Sequence, residues 1–424
     1  MGKSTATRAR RKPAKPYPTF PLYPHASGRW AKKILGRVYY FGRWGVKKGA
    51  SIVPFDDQRT AANEAKAEFD RQSPALYDGE MPAPKPSADG KDIFDLREEF
   101  LASKTADMER GKLSPRTFYH YKRAADQLFA FFGADQPLAA LGPKEFSRLY
   151  AHIAKGKASP VYLGNEIRHI RVVLNYAIEK DMVPRAFKYG PDFKLPTKRE
   201  LRRNRQELVK QHGKKMLEAS DIRAVLTALL EPQKNTRTTR QANLALRAMT
   251  LLGVNGGLGQ TDCAHMELSH LHLDTAWLDY PRVKTTVERR IPLWPETVQA
   301  IRDYLAVRKT VQGGAYKNRV FLTDAGRPWV DIKPSGYATD SVSTKFTKLL
   351  SSLGLKRVRV GFYSLRHTTE TIGGRCKDPV AVSAIMGHVP ESGDMSAVYR
   401  EEIGEDRLLA VTNTIREWLF GGEQ

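Results

Sequence analysis

The sequence predicts a mainly α-helical protein with small β-sheets, an α+β chain of several domains. Three observations predict it. Between residues 92 and 183, apolar residues recur at helical spacing, and Ser-Pro pairs stand where helices would begin. Short runs of β-branched and aromatic residues beside glycine or proline, at 28–41, 277–280 and 290–293, read as strands. At 424 residues the chain also exceeds what one core organises, and proline-rich and basic stretches punctuate it.

In chain order, residues 1–27 form a basic tail with Lys3, Arg8, Arg10, Arg11, Lys12 and Lys15. Such a segment is expected to be disordered and attracted to phosphates, or simply solvated. Residues 28–73 read as strands around the Gly36 turn followed by a helix over 58–72. Here Arg29, Lys32, Lys33, Arg37 and Arg43 lie beside Trp30, Tyr39 and Trp44. The basic set is a candidate surface for a DNA groove; the aromatics either share it or form the core of a small domain. Residues 74–91, with Pro74, Pro82, Pro84 and Pro86, read as a linker.

Residues 92–183 read as a four-helix domain. Its stripes are Phe94, Leu96, Phe100; Ala124, Leu128, Phe131; Leu141, Phe146, Leu149; and Leu163, Ile167, Ile170, Leu174. Ser114-Pro115 opens the second helix and Ser159-Pro160 the fourth. Arg116, Lys122, Arg168 and Arg171 are its candidate DNA contacts. Residues 184–215, including Arg202 and Arg203, form a basic connector that hangs in solvent or crosses a phosphate backbone. A larger domain fills 216–424, with helices near 220 and 244–252, strands at 277–280, 290–293 and 319–322, and helices thereafter.

Composition narrows the function. Lys and Arg number 70 against 46 Asp and Glu, a net charge of +24 with pI near 9.9. A polyanion, and nucleic acid first among them, is the expected partner. The two cysteines, Cys263 and Cys376, lack metal-ligand spacing and favour a reducing compartment over a disulfide scaffold. No apolar run approaches the ~20 residues a bilayer requires, so no membrane partner is expected. The N-terminus lacks the apolar stretch of a secretory signal. A cytoplasmic, nucleoid-associated bacterial protein is the expectation.

The chemistry concentrates in the last third, in Phe362-Tyr-Ser-Leu-Arg-His-Thr368, Met386-Gly-His388 and Ala397-Val-Tyr-Arg400. Attack on a DNA phosphodiester by a protein hydroxyl needs a nucleophile and a guanidinium on the nonbridging oxygens. It also needs a hydrogen-bond donor near them and an acid for the leaving 5′ oxygen. Tyr399, Arg366, His388 and Lys284 can fill those roles. Arg282, Arg289 and Arg290 compete with Lys284 on the same hairpin.

These boxes, in this order and with Tyr399 eleven residues beyond His388, resemble the tyrosine recombinase (phage integrase) family. Lys284, ahead of Arg290-Ile-Pro-Leu293, resembles that family's β-hairpin lysine. The likeness spans about residues 92–415 and implies a helical core-binding domain and a mixed α/β catalytic domain, together a C-shaped clamp on duplex DNA. It further implies a small arm-type N-terminal unit and site-specific strand exchange through a 3′-phosphotyrosine. By the same resemblance no cofactor or metal is needed. Four protomers would assemble on DNA from a monomer or weak oligomer, with the C-terminal helix docking on a neighbour or packing on its own domain.

Two positions depart from the family pattern. Gly259 stands where an arginine is expected, and Tyr363 where histidine is usual. Losing one preorganised charged donor costs a factor of ~10²–10³ in rate. Either another arginine enters the site, with Arg240, Arg247, Arg357 and Arg359 as candidates, or chemistry is slow, or the chain no longer cuts. The alternative function is therefore a cleavage-deficient DNA-binding regulator of the same fold.

Overall fold

Short strands open the first of two units into which the chain divides, residues 1–201 and 202–424. The computed structural model describes residues 12–48, 51–78, 90–156, 158–231, 239–309, 314–333, 335–390 and 394–421. Residues 1–11 of the basic tail, 79–89 of the expected linker and 391–393 ahead of Tyr399 lie outside the described residues.

In the first unit, β1 (Tyr23–Pro24), β2 (Arg29–Ile34) and β3 (Arg37–Arg43) form an antiparallel sheet in that order. A register shift between Trp30 and Ala31 interrupts the β2–β3 ladder, where Lys32 faces Tyr39. A hairpin of β4 (Gly45–Lys48) and β5 (Ser51–Pro54) precedes helix α1 (Gln58–Tyr77). Trp30, Ile34, Phe41 and Trp44 meet Ala62, Ala65, Phe69 and Leu76 of α1 in one core. Trp30 and Trp44 are therefore core residues, and no more than the edge of Tyr39 is left for any ligand. Helix α1 also runs past Pro74, where the linker was expected to begin. A proline costs helix stability, but the apolar stripe continues one more turn to buried Leu76, and that burial offsets it.

Helices α2 (Ile93–Glu109), α3 (Pro115–Phe132), α4 (Pro143–Ala154) and α5 (Pro160–Glu179) follow as expected. Ser114 and Ser159 cap α3 and α5, accepting from Thr117 N and Tyr162 N, with proline at the first helical position. Leu96, Phe100, Leu128, Phe146, Leu149, Ile167 and Leu174 fill the bundle core.

Sheet and bundle are joined by buried ion pairs. Arg29 donates to Asp92 at 3.1 Å, lies 3.8 Å from Asp95 and stacks 3.5 Å over the Phe94 ring. Arg43 pairs with the same Asp92 and, at 3.0 Å, with Asp135. This corrects the expectation for Arg29: it is 8% exposed and committed to carboxylates, so it presents no surface to DNA.

The boundary between units falls inside α6 (Lys198–His212). Within the expected basic connector, Phe193 packs into the bundle core, whereas residues 198–212 are a helix with no buried residue. Thr197 and Glu200 cap each other's backbone, Thr197 N to Glu200 at 2.7 Å and Glu200 N to Thr197 at 3.2 Å, which nucleates it.

In the second unit, α7 (Ala219–Ala228) precedes α8 (Arg240–Asn255), buried on nearly every side, and the short α9 (Gln260–His265). An antiparallel sheet β6 (Leu271–His272), β7 (Trp277–Asp279), β8 (Arg290–Pro292) leads to α10 (Pro295–Val307). The pair β9 (Val330–Ile332) and β10 (Ala338–Asp340) precedes α11 (Ser341–Ser352) and α12 (Ser364–Gly373). Then come α13 (Pro379–Met386), α14 (Met395–Tyr399) and α15 (Glu405–Phe420).

The strand expected over 319–322 is not one. Single bridges pair Arg319 with Glu267 and Leu322 with Pro328. Consecutive Val320, Phe321 and Leu322 are all buried, so the segment threads the core instead of forming a ladder. Helix α15 packs on its own domain: Leu408, Val411, Ile415 and Leu419 are buried, and Trp294 donates to Thr412 O at 3.0 Å.

Candidate active site

Arg366 lies on α12, whose neighbours Leu365, Thr369 and Ile372 are core positions. Thr369 Oγ1 donates to Val254 O at 2.9 Å, which fixes the helix against α8, and Thr368 Oγ1 accepts from Leu217 N, just ahead of α7, at 3.1 Å. Arg366, 3% exposed, is held by two carbonyls, Gly257 O at 2.6 Å and Met386 O. Burial, reinforced by nearby Arg282, pushes its pKa below the ordinary arginine value.

The hairpin between β7 and β8 meets the same turn from the other side. Arg282 and Thr285 both donate to Gly387 O at 3.2 Å. Glycine is required there: φ is +59°, and a Cβ would come within 2.8 Å of Arg289 Cδ and 3.0 Å of Arg282 Cβ. Gly257 is constrained likewise, with φ +65° and Met386 Sδ lying where its Cβ would be. Three boxes far apart in sequence thus converge on the Met386-Gly387 turn.

His388 follows that turn and is exposed. Partial burial, with Arg366 and Arg282 adding to it against Glu370, holds its pKa below 6.5, so it is neutral at pH 7. Lys284 is exposed within the same hairpin, whose Arg282 N donates to Val287 O at 2.8 Å. Tyr363, 46% exposed, stands at the N-terminus of α12 with its ring 3.4 Å from where a Cβ on Gly259 would lie. Tyr399 ends α14 with 77% of its surface exposed and is not drawn into the cluster.

Of the arginines expected to compensate for Gly259, Arg357 is committed elsewhere, while Arg247 Nε and Arg359 Nη1 are buried without a hydrogen-bond partner. Arg240 is exposed at the start of α8, and Arg247 has Asp303 as its nearest opposite charge. Arg357 donates to Met216 O at 3.1 Å and pairs with Asp221 at 3.3 Å. Arg359 joins Lys215 and Arg205 around His367, whose pKa burial lowers first and these cations lower further. Sequence reasoning underrated Arg289, which is buried beside Asp262, while Arg290 faces outward to Asp279 and Glu405. The signal was available: strand alternation puts Arg289 on the face of buried Ile291.

Of the candidate DNA contacts, Lys33, Arg37, Arg116, Arg168, Arg202 and Arg203 are exposed, and Lys32 and Lys122 are half-buried. Arg37 pairs with Glu109 at 2.8 Å and Lys122 with Asp126 at 2.5 Å. Arg171 is turned inward, donating to Phe193 O at 2.6 Å and lying 4.7 Å over the Tyr189 ring. Among the described residues no cluster of His, Cys, Asp and Glu has the makings of a metal site. No helix among them is long and apolar enough to cross a membrane.

A mainly helical domain carrying a small antiparallel sheet, with a buried arginine and a Gly-His turn brought together, has the architecture of tyrosine recombinase catalytic domains. Two structures of the Tn1549 transposon integrase match with TM-score 0.51 at 15% identity. Each alignment covers 76% of this chain, and 98% and 99% of the respective integrase chains. One was solved with a circular intermediate DNA, the other with transposon right end DNA. Residues 202–402 match the model of the phage integrase family. No curated protein matches the sequence.

Proposed function

We propose that this protein breaks and rejoins duplex DNA at specific sites by transesterification through Tyr399. The observation that carries the reading is the convergence of Arg366, the Lys284 hairpin and the Gly-His turn on the carbonyls of Met386 and Gly387. Arg366 supplies the guanidinium for the nonbridging oxygens. Neutral His388 offers an N–H, and the Tyr363 hydroxyl a further hydrogen bond, to the same phosphate. Tyr399 Oη bonds to phosphorus as the P–O5′ bond breaks; the phenol proton leaves to water, and the Lys284 ammonium protonates O5′. A 5′-hydroxyl of the partner strand reverses the step. Bond energy is kept in the phosphotyrosine, so no cofactor is consumed.

Duplex DNA as the partner is supported by the net charge of +24 and by the exposed cations Lys33, Arg37, Arg116, Arg168, Arg202 and Arg203. Four protomers on two duplexes would complete the exchange. The second reading, a regulator that binds without cutting, is favoured by one observation: Gly259 brings no guanidinium.

One experiment separates them. Wild type and Tyr399→Phe are expressed in cells, denatured rapidly and recovered under stringent conditions, and any covalently attached DNA is sequenced. The cleavage reading expects DNA on wild type alone, clustered at few positions. Specific occupancy by crosslinking, with no covalent DNA, would favour the regulator.

A further inference from the structure

Arg289 and Arg290 are neighbours on one hairpin, yet only Arg289 turns into the active site. Its side chain is 0% exposed. Nε donates to Tyr280 O at 3.0 Å, but both terminal guanidinium nitrogens are buried without a hydrogen-bond partner. The nearest carboxylate oxygen, Asp262 Oδ1, is 3.6 Å away, and the other oxygen of Asp262 accepts from Gly259 N at 3.0 Å. The shaft of Arg289 lies against Gly387, adjacent to the Met386 carbonyl that binds Arg366. Arg289 and Arg366 are both buried, and the charge of buried Asp262 acts on each, although it pairs with Arg289 alone. A cation sealed from water without full compensation is destabilising until an anion completes it.

We infer that Arg289 restores the positive charge that Gly259 leaves out, as a positioning residue for the scissile phosphate held at Arg366. This rests on the cleavage reading for the identity of that anion. The neighbourhood of position 259 fits. A Cβ on Gly259 would lie in ordinary contact with the Tyr363 ring at 3.4 and 3.5 Å, so that ring flanks the place where an arginine side chain would start. The charge arrives instead from the hairpin, on the far side of Asp262, the carboxylate that caps Gly259. Arg289 works through the field it adds to the Arg366 pocket, since its terminal nitrogens have no open surface in the free protein.

The test measures thermal unfolding of the full chain in inorganic phosphate and in chloride at equal ionic strength, for wild type, Arg289→Lys and Arg289→Met. Phosphate should raise the midpoint of wild type and of the lysine variant, which keeps the charge. The methionine variant loses the bond to Tyr280 O and leaves Asp262 without its countercharge, so it should unfold earlier in chloride; its apparent phosphate affinity should fall about tenfold or more. Covalent DNA capture by the methionine variant should drop by ~10²–10³. Adding Gly259→Arg and Tyr363→His to it should recover capture. A purely structural arginine would behave differently: Arg289→Met would keep its phosphate response and its covalent capture, and that result overturns the inference. So does a folded triple variant that recovers no capture. Wild type without covalent DNA would count against the cleavage reading alone, and the phosphate comparison would still decide the role of Arg289.

Discussion

Replacing Arg366 by lysine keeps the charge and removes the fork. Arg366 holds Gly257 O at 2.6 Å and Met386 O with two different nitrogens, so one guanidinium pins the end of α8 to the end of α13. A hydrogen bond to a charged group contributes about 1.5–3 kcal/mol, and a buried carbonyl left without a donor costs about 1–3 kcal/mol. A lysine ammonium reaches one carbonyl and orphans the other, so the second unit should lose about 2–4 kcal/mol. At ~2–4 °C per kcal/mol for a domain of ~150–250 residues, its midpoint should fall by about 4–16 °C. Tryptophan fluorescence can follow it, because Trp277, Trp294, Trp329 and Trp418 belong to this unit and Trp30 and Trp44 to the other. Covalent DNA capture should fall as well, by ~10²–10³. A shift below about 1 °C would refute the reasoning, because it would mean that neither carbonyl depends on the guanidinium.

Gly387→Ala forces a Cβ against Arg289 and Arg282 at a φ of +59°; the left-handed backbone alone costs ~1–2 kcal/mol, so urea unfolding of the second unit should shift by at least that. Asp378, bonded to Arg407 at 2.7 and 2.9 Å, has its pKa pulled down to about 2, chiefly by that hydrogen bond. Its stabilisation is present above the ordinary value of 3.8 and is lost as pH falls toward about 2. Arg407→Gln should therefore raise the acid-unfolding midpoint of the second unit, by a small margin because the pair is solvent-screened. Arg29→Met leaves buried Asp92 with Arg43 as its remaining arginine and should destabilise the first unit by ~1.5–3 kcal/mol. For those molecules that remain folded, the salt dependence of DNA binding should be unchanged, whereas Arg202→Ala should reduce its slope by about 1.

Local signals carried much of the fold. The helices of the first unit were legible because each states its own boundaries, as Ser114-Pro115 and Ser159-Pro160 do, and because a helix repeats its apolar face within four residues. The same holds for the box around Arg366 and for Gly387-His388, where glycine marks a backbone that other residues avoid. The capping pair Thr197 and Glu200 was missed in the sequence and shows that a basic connector can still be helical.

What the sequence alone determined is the set of chemical groups, their order and the helical frame that carries them. Tertiary structure decided which cations are free. Arg29 and Asp92 are 63 positions apart, and Arg282 and Gly387 are 105, so no local pattern could pair them. It also decided that Trp30 and Trp44 are core, that α15 packs on its own domain, and that Arg289 faces inward while Arg290 faces out. The physical reason is common to all of these. Side-chain identity fixes what a group can do, but its charge, burial and partners are set by whichever distant segments the packed core brings beside it.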